Sequence, residues 1–83
     1  MFYVYFLQSS TNKDLYIGFC RNLKSRFNDH NEGRVRSTKP YKPWILVYYE
    51  AYKNIKDATK REKQLKNHRA KEDLKLQLSN SLL

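Results

Sequence analysis

The spacing of apolar and polar positions changes period several times along this chain. From Phe2 to Leu7 every position is apolar or aromatic, with Phe2, Val4 and Phe6 alternating with Tyr3, Tyr5 and Leu7. Aromatic and β-branched side chains without helical spacing predict a strand, apolar on both faces and central in its sheet. Ser9 to Asp14 supplies turn residues, and Leu15–Phe19 reads as a second strand returning as a hairpin. In that strand Leu15, Ile17 and Phe19 share one face, Tyr16 and Gly18 the other. Asn22 fits the N-cap of a helix running to about Glu32, with Gly33 as its stop. Pro40 and Pro43 mark the loop that follows. Trp44–Ala51 is a third, strongly apolar strand. Asn54 is placed to cap a helix over about Ile55–Asn67, where Asp57 suits the positive end of the helix dipole. Leu74 and Leu78, four apart, predict a short last helix over about Lys71–Leu78. The order is ββαβαα, an α/β architecture of the α+β type in which a small three-stranded sheet is flanked by helices.

Composition narrows the function classes. A chain of 83 residues is expected to form one domain, with a core over about 1–69 and the short C-terminal helix over about 70–83. A chain of this size buries only about 60–65% of its unfolded surface. One cysteine, Cys20, excludes an intramolecular disulfide framework and multi-cysteine metal sites. The apolar run at Phe2–Leu7 is far too short to span a membrane, and no signal-peptide pattern precedes it, so a cytoplasmic location is expected. The formal net charge is +9, and it is unevenly placed: Arg34, Arg36, Lys39 and Lys42 fall in one short segment that holds no acidic residue. A basic loop beside a folded body suits the phosphates of a nucleic acid, although the same charge also serves solubility.

Polar residues interrupt the apolar stripes of both longer helices. Leu23 and Phe27 form the stripe of the first, and Arg26 and His30 lie along it. In the second, Glu62 sits between Ala58 and Leu65. A carboxylate there requires a partner, either a basic residue such as Arg26 or a metal ion. Arg26, His30 and Glu62 would point inward from two helices toward one sheet, where Tyr5 and Tyr16 can share a face. A carboxylate, a guanidinium, an imidazole and two phenols suit phosphoryl chemistry: the Glu on a divalent metal, the Arg on a phosphate oxygen, and a phenol or imidazole relaying the proton of an attacking water.

These residues resemble the GIY-YIG nuclease superfamily. Tyr3-Val4-Tyr5 corresponds to its first motif, and Tyr16-Ile17-Gly18 matches its second. The phrase Asn22 to Asn31 is similar to the family's arginine helix, and Lys60 to Lys66 to the segment bearing its metal-binding glutamate. The likeness covers almost the whole chain and is greatest to the small stand-alone bacterial members.

The resemblance implies an antiparallel sheet and metal-dependent endonuclease activity that hydrolyses phosphodiester bonds. DNA is expected in preference to RNA, in a structured or damaged form suited to DNA repair. By the same resemblance Tyr16 activates or orients the attacking water with help from His30, and Tyr5 positions the phosphate or water network. Arg26 would stabilise phosphate charge, and Glu62 would bind one Mg²⁺ or Mn²⁺. Tyr3 stands in place of the first glycine of the name motif. Phe19 stands where some members have a lysine, and neither Asn67 nor Asn80 matches the family's asparagine. With little chain beyond the core, target choice would fall to a partner protein. The alternative reading is a non-catalytic nucleic-acid-binding module that retains the nuclease fold.

Overall fold

In the computed structural model, which describes all 83 residues, the first strand is the middle of the sheet. Strand β1 (Phe2–Ser9) pairs antiparallel with β2 (Leu15–Cys20) on one side and with β3 (Trp44–Tyr52) on the other, giving the order β2-β1-β3. Its central place explains its two apolar faces, since each is covered. Helix α1 (Leu23–Asn31) packs on one face, where Leu23 and Phe27 join Tyr5, Leu7, Cys20 and Trp44. Helices α2 (Ile55–Leu65) and α3 (His68–Gln77) cover the other, where Ala58, Leu65 and Leu74 meet Val4, Phe6 and Ile17. No helix is long and apolar enough to cross a membrane.

The caps set the helix boundaries. The side chain of Asn22 accepts a hydrogen bond from the Ser25 amide at 3.0 Å, and Asn54 accepts from Lys56 at 2.8 Å. Each such cap contributes about 1 kcal/mol. Gly33, at φ +76°, provides the left-handed turn just past α1. Asn67 does not extend α2. It caps α3 instead, accepting from the amides of Arg69 and Ala70, so α2 ends at Leu65 and α3 starts at His68, before the position expected from its leucines. A single 3₁₀ turn, Lys39–Tyr41, falls within the basic loop.

One irregularity in β3 matters for the site. Phe6 pairs with Tyr48 but Leu7 pairs with Leu46, so Val47 is an extra residue in the ladder. Side chains alternate across a regular strand, and an inserted residue reverses the alternation beyond it. Tyr48 and Tyr52 therefore pack beneath α2, whereas Leu46 and Trp44 turn to the face that carries Tyr5. Without the bulge, Trp44 would face away from α1.

Candidate active site

Tyr5 lies at the centre of the molecule, 1% exposed, on the face covered by α1. Its cross-strand partner is Gly18, and Tyr16 pairs with the neighbouring Leu7, so both tyrosines project from the same face with ring centroids 6.3 Å apart. The absence of a side chain at Gly18 makes room for the Tyr5 ring. Arg26 and His30 are one turn apart on α1, and both meet the Tyr5 hydroxyl. Arg26 Nε donates to it at 3.3 Å, and His30 Nε2 lies 2.9 Å from it. The second ring nitrogen, His30 Nδ1, is 2.7 Å from the hydroxyl of Thr38, which also reaches the Val35 carbonyl at 3.3 Å.

The Tyr5 oxygen accepts from Arg26, and each ring nitrogen of His30 faces one hydroxyl, Nε2 that of Tyr5 and Nδ1 that of Thr38. Burial, reinforced by the charge of Arg26 and only partly opposed by Asp29, lowers the His30 pKa to about 4, so the imidazole is neutral. Burial also pushes the Tyr5 phenol up to about 12, despite the hydrogen bond from Arg26. With the phenol raised and the imidazole lowered, proton transfer from Tyr5 to His30 runs uphill, and His30 is placed to orient Tyr5. With 0% exposure and both nitrogens engaged, His30 meets no solvent.

Tyr16 is different. It is half-buried, and its ring rests against His30 at 5.0 Å and Trp44 at 6.2 Å between centroids. Its hydroxyl stands outside the hydrogen-bonded chain that occupies Tyr5 and His30. Four of the sequence-derived candidates are thus gathered on one face, with Tyr16, Arg26 and His30 each meeting Tyr5.

Glu62 is not among them. Its helix packs on the opposite face, and the ion pair expected with a residue such as Arg26 is made instead with Lys66, one turn along α2, at 3.4 Å. Glu62 does not join Arg26 and His30 as they point inward toward the one sheet, because the strands are apolar on both sides and the helices divide between them. On α2, Arg61 reaches toward β3, where it binds Glu50. Glu62, about 100° around the helix from Arg61, pairs with Lys66, which shares a surface depression with Leu15, Tyr16 and Ile17 of the edge strand β2. The carboxylate is 24% exposed and its lysine partner 60% exposed.

No three His, Cys, Asp or Glu side chains converge as a metal cage. A lone, partly exposed carboxylate held only by an exposed lysine fits a hard divalent ion that keeps most of its waters and completes its shell with substrate phosphate.

The basic segment divides in two. Arg34 is held by Asp29 at 3.0 Å and by Glu32, so part of its charge is already answered. Arg36, Lys39 and Lys42 are exposed, with Lys39 and Lys42 gathered over Gly33. Thr38, 1% exposed, anchors the same loop from within: its carbonyl accepts from Trp44 Nε1 at 2.9 Å. Asn31 joins α1 to the start of β3, bonding the Trp44 backbone at both its amide and its carbonyl. Thr38, Trp44 and Asn31 were not singled out by sequence pattern, since a loop has no periodicity and the β3 bulge is not visible in alternation.

Comparison with known proteins identifies the family that shares this fold. Residues 1–75 match the family model described as the GIY-YIG catalytic domain. A UPF0213 protein of Syntrophus aciditrophicus is 37% identical over 76 residues, covering 89% of this chain and 86% of the relative. A UPF0213 protein of Staphylococcus haemolyticus is 33% identical over 75 residues, covering 89% and 90%. The solution NMR structure of a UPF0213 protein from Bacillus halodurans superposes with a TM-score of 0.57 at 28% identity, over 89% of this chain and 82% of that one. By its motifs, its fold and these matches, the chain belongs to the GIY-YIG nuclease family.

Proposed function

We propose that the protein is a metal-dependent endonuclease hydrolysing phosphodiester bonds in DNA. The observation that carries this reading is the Arg26–Tyr5–His30 chain, buried at Tyr5 and His30, lying against the half-buried ring of Tyr16. A purely structural tyrosine cluster has no need of a guanidinium directed at its hydroxyl.

Each residue then has a task. Tyr16, the accessible phenol, orients the attacking water. Tyr5 holds Arg26 in place and presents an oxygen bonded to His30. Arg26 meets the charge that develops on the phosphate, and a preorganised donor of this kind contributes roughly 3–4 kcal/mol to lowering a barrier. His30 acts through Tyr5 and through its ring contact with Tyr16, as a positioning residue. Glu62 would hold one Mg²⁺ or Mn²⁺ at the β2 edge. The ion would supply charge neutralisation at the leaving oxygen. Arg36, Lys39 and Lys42, with Arg34 in a lesser part, grip the nucleic-acid backbone. DNA is favoured over RNA by the family; the cytoplasm and a partner protein that selects the target complete the proposal.

The test is cleavage of single-stranded, duplex and branched DNA and RNA with Mg²⁺ or Mn²⁺, with Tyr16→Phe in parallel. Turnover that needs the metal and falls at least about 100-fold in Tyr16→Phe is expected, the scale of a lost proton-handling group. Equal rates for both proteins would remove Tyr16 from the mechanism. Salt-dependent binding without turnover on any substrate would favour the non-catalytic binding module.

A further inference from the structure

We propose that Thr38 is a positioning residue of the site: it fixes His30 as the Nδ1–H tautomer and thereby sets the orientation of the Tyr5 hydroxyl. Neutral imidazole has two tautomers, and which one is present follows from the partner of each nitrogen. Thr38 supplies that partner. Its hydroxyl is 2.7 Å from His30 Nδ1 and 3.3 Å from the Val35 carbonyl. A carbonyl only accepts, so the Thr38 proton goes to Val35 and the Thr38 oxygen accepts from Nδ1–H. Nε2 is then an acceptor, and the Tyr5 hydroxyl points its proton there.

The opposite assignment fails on its donors. With the proton on Nε2, the Tyr5 oxygen would receive both His30 and Arg26, leaving its own buried O–H without an acceptor. A buried hydroxyl proton without an acceptor is costly.

Thr38 itself is held. It is 1% exposed, and its carbonyl accepts the indole N–H of Trp44 at 2.9 Å. Trp44 faces Tyr16 on its other contacts, with centroids 6.2 Å apart. Thr38 also lies between Arg36 and Lys39, whose side chains are exposed. One short loop therefore carries the cations that meet the nucleic acid and the hydroxyl that orders the buried site. The catalytic consequence rests on the nuclease reading; the tautomer does not.

The experiment separates the two. Protein labelled with ¹⁵N at histidine, in a His68→Gln background so that only His30 remains, reports its tautomer by imidazole ¹⁵N shifts and long-range proton correlations. The expected result is a proton on Nδ1 in the parent, a shift toward Nε2–H in Thr38→Val, and retention of Nδ1–H in Thr38→Ser. In cleavage, Thr38→Val is expected to lower kcat about 10–100-fold, the scale seen when an orienting partner of a histidine is lost. KM should change less than about twofold, and Thr38→Ser should restore most of the rate. An Nε2–H tautomer in the parent overturns the proposal without any variant having to fold. So does an unchanged tautomer in Thr38→Val, or a Thr38→Ser protein as impaired as Thr38→Val. The expected spectra together with no turnover in the parent would uphold the role of Thr38 and reject the nuclease reading.

Discussion

A methyl group at Gly18 would lie 2.2 Å from the hydroxyl oxygen of Tyr5 and 2.3 Å from its Cζ. The two residues face each other across β1 and β2, and the phenol ring occupies the space that any side chain at Gly18 would fill. The glycine of the Tyr16-Ile17-Gly18 motif is therefore part of the same device as Tyr5.

Gly18→Ala is expected to displace the Tyr5 ring and break its 2.9 Å bond to His30. Overpacking of this kind costs about 1–3 kcal/mol. Urea unfolding should show that loss, and Gly18→Ala should cost less when introduced into a Tyr5→Ala background than into the parent. A Gly18→Ala protein as stable and as active as the parent would contradict the packing described.

His30 makes stability pH-dependent. Its imidazole binds a proton near 4 when folded and near 6.5 when unfolded, so unfolding takes up a proton between those values. Stability is then fully present above about pH 6.5 and falls by about 1.4 kcal/mol per pH unit below it, about 3 kcal/mol by pH 4. Denaturant midpoints from pH 7 to 4.5 should fall less steeply in His30→Gln than in the parent. Parallel curves would mean that His30 is not buried neutral.

Glu50 and Arg61 offer a control on the opposite face. Arg61 grips the Glu50 carboxylate through Nε and Nη2, and the hydroxyls of Tyr48 and Tyr52 donate to the same group. Burial raises the Glu50 pKa, but the hydrogen bonds from Arg61, Tyr52 and Tyr48 outweigh it and hold the group below the usual range. Removing one partner of a buried pair costs up to about 3–5 kcal/mol, and the exposure of Arg61 and Glu50, 27% and 14%, places this one at the lower end. Glu50→Gln is expected to lower the unfolding midpoint and leave kcat unchanged at a temperature where the variant is folded.

The basic loop predicts unequal lysines and arginines. Arg34 already serves Asp29 and Glu32, whereas Arg36, Lys39 and Lys42 do not. Replacing those three with Gln should reduce the slope of log affinity for DNA against log salt by about 3, and Arg34→Gln by less than 1. Equal effects per residue would contradict the division.

The strands and the α1 cap were legible because alternation and Asn22 act locally. Tyr5, Tyr16, Arg26 and His30 could be placed on one face from the strand period of 2 and the one-turn spacing on α1. Thr38 and Trp44 were not legible, because the bulge at Val47 and the loop turn that buries Thr38 depend on tertiary packing. The sequence also left open which sheet face α2 would cover. That choice puts Glu62 at the β2 edge and leaves it paired with Lys66.

If Glu62 holds the metal of a nuclease, as proposed, the most direct test compares parent and Glu62→Ala in cleavage of branched and duplex DNA across a Mg²⁺ and Mn²⁺ titration. The exposed Glu62–Lys66 pair contributes at most about 0.5 kcal/mol, so the variant should stay folded. Metal-dependent cleavage by the parent and none by Glu62→Ala at any metal concentration is the expected result. Cleavage that persists in the Glu62→Ala protein would contradict it.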